Sequence, residues 1–366
     1  MKFVGYYPGI DFGDSSQFGR VIHTQNFIQS YHSAVDDSAV FIVGNKDDYE
    51  HTAVRELGFG NTLVSKLARD VIGFLLLLKI VFVTDEQVAL YCRDSPYVSK
   101  TILGLFPSVY LILEINGLAK TEIDQATVST KIFYWIRDKS RQKSTLLVCV
   151  SQGIKEDIQE RYPGKRIAVI ENGVDTSVFS PETSSDADLA EWTVCYVGGL
   201  QSWQGVDQMM DIISWINEDI YFYVVGGTES RRRELCEYAK QLGIDERVEF
   251  TGRVSHSKVP CYINRADVCF GPFNRSRQAS PMKIYEYLAC GKQVILVNKE
   301  GLEFVEDYPG VHRLSPDNSS SEIATYVTEV LSDSSPNSEG REYVIKHHSW
   351  NTVTSSIQSL IEKNVS

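Results

Sequence analysis

A lysine and a glutamate stand three residues apart, at Lys283 and Glu286, in a segment whose flanking residues predict a short helix. Ser280 suits the N-cap of that helix, Pro281 its first position and Gly291 its C-terminal cap. The first turn of a helix offers free N–H groups and the positive end of the helix dipole, which together attract phosphate. The segment therefore predicts a phosphate-binding helix start that carries a lysine.

The spacing of three residues places Lys283 and Glu286 on one face of the predicted helix. The lysine can set a cation beside a phosphate, and the carboxylate can accept hydrogen bonds from a ribose diol. The pair thus predicts a site for a nucleoside diphosphate. The same spacing is compatible with a capped helix whose lysine and glutamate pair with each other.

Glycines and an arginine follow three predicted strands in the second half of the chain. Gly198 and Gly199 end one strand, a second Gly-Gly pair ends the next, and Arg253 follows the third. A glycine after a strand lets the backbone approach a ligand closely, or simply makes a turn. Arg253 either contacts the base of a nucleotide or stays solvated. These loops favour ligand contact without requiring it.

Short apolar runs alternate with longer helical stretches along most of the chain. Buried parallel strands form continuous apolar runs because helices cover both faces of their sheet, so the alternation predicts doubly wound α/β architecture. A segment rich in Ser, Thr, Asp and Pro at residues 175–189 divides the runs into two series. Ligands of open α/β sheets bind beyond the carboxyl ends of the strands, so we expect the functional residues in those loops.

The chain has 366 residues, a net charge of −12 and a hydrophobic fraction of 43%. These values predict a globular protein of two domains, and the excess of acid argues against a nucleic-acid binder. Seven cysteines without a Cys-x-x-Cys pair predict reduced thiols in a cytoplasmic protein. No Asp-x-Asp motif follows a predicted strand, so no metal site is expected.

The longest apolar run, residues 71–83, is too short to span a bilayer. We favour a buried helix here. The alternative is an interfacial segment that lies on a membrane surface and receives a lipid-linked acceptor.

Several motifs, taken in order, resemble those of family-4 glycosyltransferases, the glycosyl transferases group 1, which have the GT-B fold. They are Val-Ser at 150–151, Asn-Gly-Val-Asp at 172–175, Val-Gly-Gly-Leu at 197–200, Phe-Thr-Gly-Arg at 250–253 and the helix segment at 280–291. Each motif alone is weak evidence. Their number and order make the resemblance specific.

The resemblance implies two Rossmann-like doubly wound domains that face a central cleft. Residues 1–175 would form the acceptor domain, residues 176–340 the nucleotide-sugar donor domain, and residues 341–366 a C-terminal helix that crosses back to the first domain. The implied reaction is a retaining, metal-independent hexosyl transfer in polysaccharide biosynthesis. A nucleotide-diphosphate sugar is the donor, a glycan or lipid-linked hydroxyl is the acceptor, and no cofactor takes part. The protein would be cytoplasmic, with peripheral contact to the inner face of the membrane.

The resemblance also assigns donor contacts. Lys283 would bind the diphosphate and Glu286 the ribose, while Gly19 would lie in a glycine loop near the transferred sugar. The full donor-binding set is Gly19, Gly198, Gly199, Arg253, Gln278, Ser280, Pro281, Met282, Lys283 and Glu286. The leaving phosphate can itself take the acceptor proton. Glu114 and His23 are therefore weaker catalytic candidates than Lys283 and Glu286.

Three departures from the family pattern keep alternatives open. Gln278 stands where the family has a glutamate. Gly199 and Gln204 stand at about the places of an arginine and a lysine. A Glu-Ile-Asn-Gly sequence at 114–117 replaces a histidine-containing loop, and Arg93 fits the same subgroup of the family. The alternatives are a non-catalytic sugar-nucleotide-binding or partner subunit and a different GT-B enzyme, such as a nucleotide-sugar epimerase. A phosphorylase is disfavoured because its cofactor-lysine motif is absent. A dehydrogenase is disfavoured because no Gly-x-Gly-x-x-Gly follows the first strand.

Overall fold

The computed structural model divides the chain into two compact units. Unit 1 contains Met1–Asn172, Gln278–Ser280 and Trp350–Ser366, and unit 2 contains Gly173–Arg277 and Pro281–Ser349. The residues that the structure describes are 1–14, 18–47, 49–58, 60, 62–117, 128–181, 191–273, 282–297, 305, 307–333 and 335–365.

Unit 1 is built on a parallel sheet with helices between the strands. Its elements are β1 (Lys2–Asp11), α1 (Phe18–Ala34), β2 (Val40–Asn45), β3 (Val54–Glu56), α2 (Leu63–Val83), β4 (Val88–Arg93), α3 (Val98–Leu103), β5 (Val109–Ile115), α4 (Val128–Lys143), β6 (Leu146–Cys149), α5 (Gln152–Arg161) and β7 (Ile167–Val169). The sheet has seven strands in the order β3-β2-β1-β4-β5-β6-β7. The order reverses between β1 and β4, which marks the switch point at which such sheets bind ligands.

Unit 2 repeats this architecture. Its elements are β8 (Trp192–Val197), α6 (Val206–Trp215), β9 (Ile220–Val225), α7 (Glu229–Leu242), β10 (Val248–Gly252), α8 (Val259–Arg265), β11 (Val268–Phe270), α9 (Met282–Ala289), β12 (Gln293–Val297), β13 (Val311–Leu314), α10 (Ser320–Ser332) and α11 (Ser338–His348). Six strands lie in the order β10-β9-β8-β11-β12-β13, with the reversal between β8 and β11. The predicted α/β class with two Rossmann-like domains is confirmed, because the apolar runs are buried parallel strands.

The C-terminal segment forms two helices, so the prediction of one helix across residues 341–366 is wrong. α11 ends at His348 and α12 (Trp350–Val365) begins two residues later. Ser349 between them is extended, with φ −64° and ψ 146°. The His348 carbonyl accepts the Val174 N–H at 2.8 Å, a bond that competes with continuation of the helix. α11 belongs to unit 2, and α12 belongs to unit 1.

α12 packs on α1 within unit 1. The Ser30 hydroxyl donates to the Asn351 side chain at 2.8 Å. Trp350, Val353, Ile357 and Ile361 enter the same apolar core as Phe27 and Tyr31 of α1.

α2 is exposed along one face, so the preference for a buried helix at residues 71–83 is wrong for that face. Val71 and Leu75 are about three-fifths exposed and Phe82 about three-quarters exposed. The opposite face is tightly packed: a Cβ on Gly73 would lie 2.2 Å from the Tyr6 hydroxyl. Among the helices within the described ranges, none is both long enough and apolar enough to cross a membrane.

Candidate functional site

Glycine loops at the carboxyl ends of β8, β9 and β10 stack against one another in unit 2. Gly198 after β8 has φ +153°, and Gly226 after β9 has φ +113°. A Cβ on Gly226 would lie 2.3 Å from the Gly198 carbonyl oxygen, so only glycine fits. The Gly226 N–H donates to the Gly252 carbonyl at 2.8 Å. Three strand ends thus form one backbone surface beside the switch point of the sheet.

Lys283, in the first turn of α9, lies on the loop that follows β8. Its Nζ donates to the Tyr196 hydroxyl at 2.9 Å and to Gln204 Oε1 at 3.1 Å. The ammonium also lies 4.3 Å from the centroid of the Tyr196 ring. A Cβ on Gly198 would come within 2.6 Å of Nζ. The structure therefore brings together Lys283, Gly198 and Gln204, which the sequence placed in separate motifs.

Buried contacts hold α9 in this position. The Tyr287 hydroxyl accepts the N–H of Val197, the last residue of β8, at 2.8 Å. The Phe273 N–H after β11 donates to the Gln204 carbonyl at 3.1 Å. Gly291, two residues after the end of α9, has φ +71°, as expected of a glycine that caps a helix C-terminus. The start of α9 is therefore fixed to the end of β8, which points Lys283 at the glycine loops.

Glu286 lies one turn further along α9 and is half-buried. Its Oε1 is 3.6 Å from Nε2 of His256, whose ring packs edge-on against Phe179 at 5.1 Å. Sequence reasoning missed His256. The signal was available, because this histidine follows the carboxyl end of β10, where ligand contacts are expected.

The other predicted donor-binding residues of unit 2 have the following places. Met282 begins α9 and is half-buried, and Arg253 is exposed just after β10. The Gly199 carbonyl accepts the Tyr196 hydroxyl at 2.8 Å, so this loop supports the ring beneath Lys283. Gln278, Ser280 and Pro281 lie outside the described residues.

Glu114 of unit 1 lies in a buried polar network at the carboxyl end of β5. Tyr91 donates to its Oε2 at 2.7 Å, and the Asn116 amide donates to its Oε1. Burial alone would raise the pKa of Glu114. The charge of His23 when its ring is protonated, the charge of Arg93 and the hydrogen bonds together outweigh it, so the pKa lies below its ordinary value. Glu114 is thus ionised at neutral pH.

His23 joins this network from α1. Its Nε2 lies 2.9 Å from Asn172 Oδ1, and its Nδ1 lies 3.5 Å from an Arg93 guanidinium nitrogen. Because arginine only donates, we assign Nδ1 as the acceptor and Nε2–H as the donor to Asn172. Burial, with a smaller contribution from the Arg93 charge, lowers the pKa of His23 to about 4. The ring is therefore neutral at pH 7, and its catalytic role stays a prediction.

Gly19 lies in the first turn of α1, so the expectation of a glycine loop at this position is wrong. The residue is exposed, and a Cβ there would meet no atom within 4 Å. Gly19 is the second residue of α1, and the helix continues without a break through the residues that follow it. Its contact with a donor stays a prediction.

A family model matches most of the residues of unit 2. Residues 182–348 match the model of the glycosyl transferases group 1. A D-inositol 3-phosphate glycosyltransferase from Xylanimonas cellulosilytica is 27% identical over 187 residues, which cover 46% of this chain and 44% of that protein. The chain thus matches less than half the length of this relative.

Solved structures resemble the whole chain. Sucrose-phosphate synthase from Thermosynechococcus elongatus has a TM-score of 0.74 at 16% identity, with 99% of each chain covered. Anabaena HepE in complex with UDP has a TM-score of 0.75 at 16% identity, covering 99% of this chain and 100% of that one. These likenesses show the fold, which is GT-B.

Proposed function

We propose that the chain is a retaining glycosyltransferase that moves a sugar from a nucleotide-diphosphate donor to a hydroxyl of a glycan or lipid-linked acceptor. The observation that carries this proposal is the position of Lys283 on the Gly198 loop, with Glu286 one turn away on the same helix. Unit 2 would bind the donor and unit 1 the acceptor.

A diphosphate is the group that suits the Lys283 position best. The ammonium contacts the Tyr196 hydroxyl and Gln204 Oε1 beside the Gly198 loop, and a phosphate bound there would form a charge-assisted hydrogen bond with this cation. The N–H groups and the helix dipole at the start of α9 would add to that attraction. Glu286, with His256 beside it, would hold the ribose diol.

A UDP-type nucleotide is the first donor to test. HepE, which shares the fold, is solved with UDP and with UDP-glucose. The relative matched in unit 2 is named as a D-inositol 3-phosphate glycosyltransferase. The HepE structures support a nucleotide-sugar donor for this chain, and the name of the relative supports glycosyl transfer.

In the proposed reaction, the bond between the anomeric carbon and the diphosphate oxygen breaks, and a bond from that carbon to the acceptor oxygen forms on the same face. The acceptor proton passes to the leaving phosphate oxygen. Lys283 stabilises the charge that develops on the diphosphate, so no metal is required. Glu114 and His23 would act on the acceptor side by fixing the buried network rather than by moving the proton.

The decisive experiment is a thermal-shift panel with UDP, GDP, ADP, CMP and dTDP on wild type and Glu286→Ala. A nucleotide at about 100 times its dissociation constant stabilises a protein by roughly 2.7 kcal/mol, which corresponds to a shift of about 5 °C or more. We expect one nucleotide to stabilise the wild type and to lose that effect in the variant. Stabilisation by none of them would contradict the proposal.

A non-catalytic sugar-nucleotide-binding subunit is the second candidate. Gln204 favours it, because this buried amide occupies the place of a cation that many family members carry beside the diphosphate. A chain of this kind would bind a nucleotide in the panel but release no nucleotide from the matching sugar nucleotide when acceptors are offered. Nucleotide release that depends on acceptor would exclude it.

We also propose that unit 1 contacts a membrane surface through an apolar face made of α2, α3 and α4. The exposed apolar side chains on these helices, with Leu105 just after α3, are Val64, Leu67, Val71, Leu75, Phe82, Val83, Val98, Ile102, Leu105, Ile132 and Trp135. The exposed lysines on these helices, Lys66, Lys79, Lys131 and Lys143, suit anionic headgroups even though the chain carries a net charge of −12. This face would hold the protein at the inner face of the membrane, near a lipid-linked acceptor.

Co-sedimentation with vesicles tests the apolar face. We expect wild type to bind vesicles that contain phosphatidylglycerol, and the double variant Leu67→Glu with Leu75→Glu to stay in solution. Trp215→Glu is the matched control, because Trp215 is equally exposed on unit 2. Absence of wild-type binding, or equal loss in the control, would overturn the membrane contact.

A further inference from the structure

An excess of positive charge surrounds the carboxyl end of β4 in unit 1. Among the described residues, the interacting charged side chains are five cations, Arg20, Arg93, Lys100, Arg137 and Arg141, and two carboxylates, Asp94 and Glu114. Cations removed from water are unfavourable unless anions compensate them. This cation cluster therefore has room for a further negative charge.

The inner members of the cation cluster are already positioned by the fold. The Asp94 carboxylate, whose side chain is 3% exposed, pairs with Arg137 at 2.6 Å and also with Arg141. Lys100 is fully buried, and its Nζ donates to the Arg93 carbonyl at 2.9 Å. The guanidinium groups of Arg93 and Arg137 lie at the edge of the cluster, with side chains 16% and 21% exposed.

Arg20 is the outermost cation. It stands one turn before His23 on α1, so the two share a helix face, and His23 contacts Arg93. No residue within the described part of the chain forms a hydrogen bond or ion pair with the Arg20 guanidinium. The charged groups that act on it are Arg93 and Arg137, which repel it. Arg20 is exposed and stands one helical turn from the histidine that contacts Arg93, so an anion bound beside Arg20 would also lie near the Arg93 guanidinium.

We propose that Arg20, Arg93 and Arg137 bind an anionic group, a phosphate or a carboxylate, on the acceptor of the transfer reaction. The acceptor assignment rests on the proposed function, whereas the anion site itself does not. The site lies at the end of β4, next to the reversal between β1 and β4. Arginine guanidinium groups bind the oxygens of phosphate and carboxylate in a bidentate manner, which would orient the acceptor as well as hold it.

Titration of inorganic phosphate into the full chain, with UDP present to occupy the donor site, tests the proposal by calorimetry. We expect Arg20→Ala to weaken phosphate binding about tenfold or more, and Arg20→Lys to weaken it less, because lysine keeps the charge but loses the fork. Arg55→Ala is the matched control, since Arg55 is an exposed arginine of unit 1 on the edge strand β3. Equal phosphate affinity in wild type and Arg20→Ala would overturn the anion site.

A second arm separates the sources of the anion. Phosphate that binds with UDP present supports an acceptor group, and phosphate that is displaced by UDP assigns the cluster to the donor diphosphate and overturns the acceptor role. If UDP itself does not bind, the proposed function fails. The anion site can still be measured by titrating phosphate into Lys283→Ala and into the double variant Lys283→Ala with Arg20→Ala, because both lack the donor-site lysine. Arg20 is exposed, so its variants should keep the wild-type melting temperature without ligand.

Discussion

Gly198 matters both for the backbone conformation of its loop and for the position of Lys283 in the proposed donor site. Its φ of +153° is a conformation that other residues rarely adopt, and a side chain there would reach the Lys283 ammonium. Other glycines of the chain also have positive φ, but a Cβ on Gly243 would meet open space. Substitution of Gly243 would therefore strain the backbone alone, whereas substitution of Gly198 would also disturb the site.

We predict that Gly198→Ala abolishes nucleotide binding, whereas Gly243→Ala leaves it intact. Both substitutions should lower the free energy of unfolding by about 1–3 kcal/mol, because each forces alanine into a glycine conformation. Only Gly198→Ala also displaces Lys283. Urea unfolding and a titration with the nucleotide found in the panel would measure both effects. Equal nucleotide affinity in the two variants would show that Gly198 has no part in the site.

The buried imidazole of His23 predicts a dependence of stability on pH. Its pKa is about 4 in the folded protein and about 6.5 in an unfolded chain. Between these values the unfolded state takes up a proton that the folded state does not, so stability is lost as the pH falls from 6.5 towards 4. The loss for this group amounts to about 3 kcal/mol at the lower limit.

The matching measurement compares wild type with His23→Gln by urea unfolding between pH 7.5 and pH 4.5. His348 is also buried with a lowered pKa, so wild type alone would mix two histidines. The difference between the two proteins cancels the contribution of His348 and leaves that of His23 with its buried network. We expect the advantage of wild type to shrink as the pH falls. A difference that does not change with pH would disprove the buried neutral state.

At the scale of elements, the sequence predicts the strands and α9 well, because each carries its own signal. The buried strands are continuous apolar runs, and α9 has a glycine directly after its last turn. The outer face of α2 could not be predicted, because residues 71–83 are apolar on nearly every side and periodicity does not reveal which side a neighbour covers. The break at Ser349 depends on a hydrogen bond from Val174, a residue remote in sequence.

The cation cluster also could not be predicted from local sequence patterns. Arg20, Arg93 and Arg137 belong to three separate elements, and their shared environment depends on the order of strands in the sheet. The contact between Lys283 and Gln204 likewise depends on tertiary structure, because it forms through the packing of α9 on the end of β8.

The two C-terminal helices offer a matched pair of substitutions. Ile357 on α12 is 2% exposed in the core shared with α1, whereas Ile345 on α11 is 41% exposed. We predict that Ile357→Ala lowers the free energy of unfolding by about 2–5 kcal/mol, because it leaves a cavity. Ile345→Ala should cost about 0.5 kcal/mol or less. Similar losses for both, measured by urea unfolding, would contradict the packing of α12.

At the scale of the whole molecule, an acidic chain keeps cations at the strand ends of both units. Unit 2 holds Lys283 at its switch point, and unit 1 holds the cation cluster at its own. This distribution suits a donor and an acceptor that both carry negative charge.

The same distribution predicts a reaction that proceeds without a divalent metal. Lys283 and the start of α9 would neutralise the leaving diphosphate. Nucleotide release from the sugar nucleotide should therefore be equal with EDTA and with added magnesium. Loss of activity in EDTA that magnesium restores would show that a metal completes the site.

In the proposed site, Lys283 holds the diphosphate of the donor. The most direct measurement is a calorimetric titration of UDP into wild type, Lys283→Ala and Lys240→Ala, the last being an exposed lysine of unit 2 on α7. A charge-assisted contact to phosphate predicts a loss of affinity of about tenfold or more in Lys283→Ala and none in Lys240→Ala. UDP binding of equal strength in all three proteins would contradict the assignment of the donor site to α9.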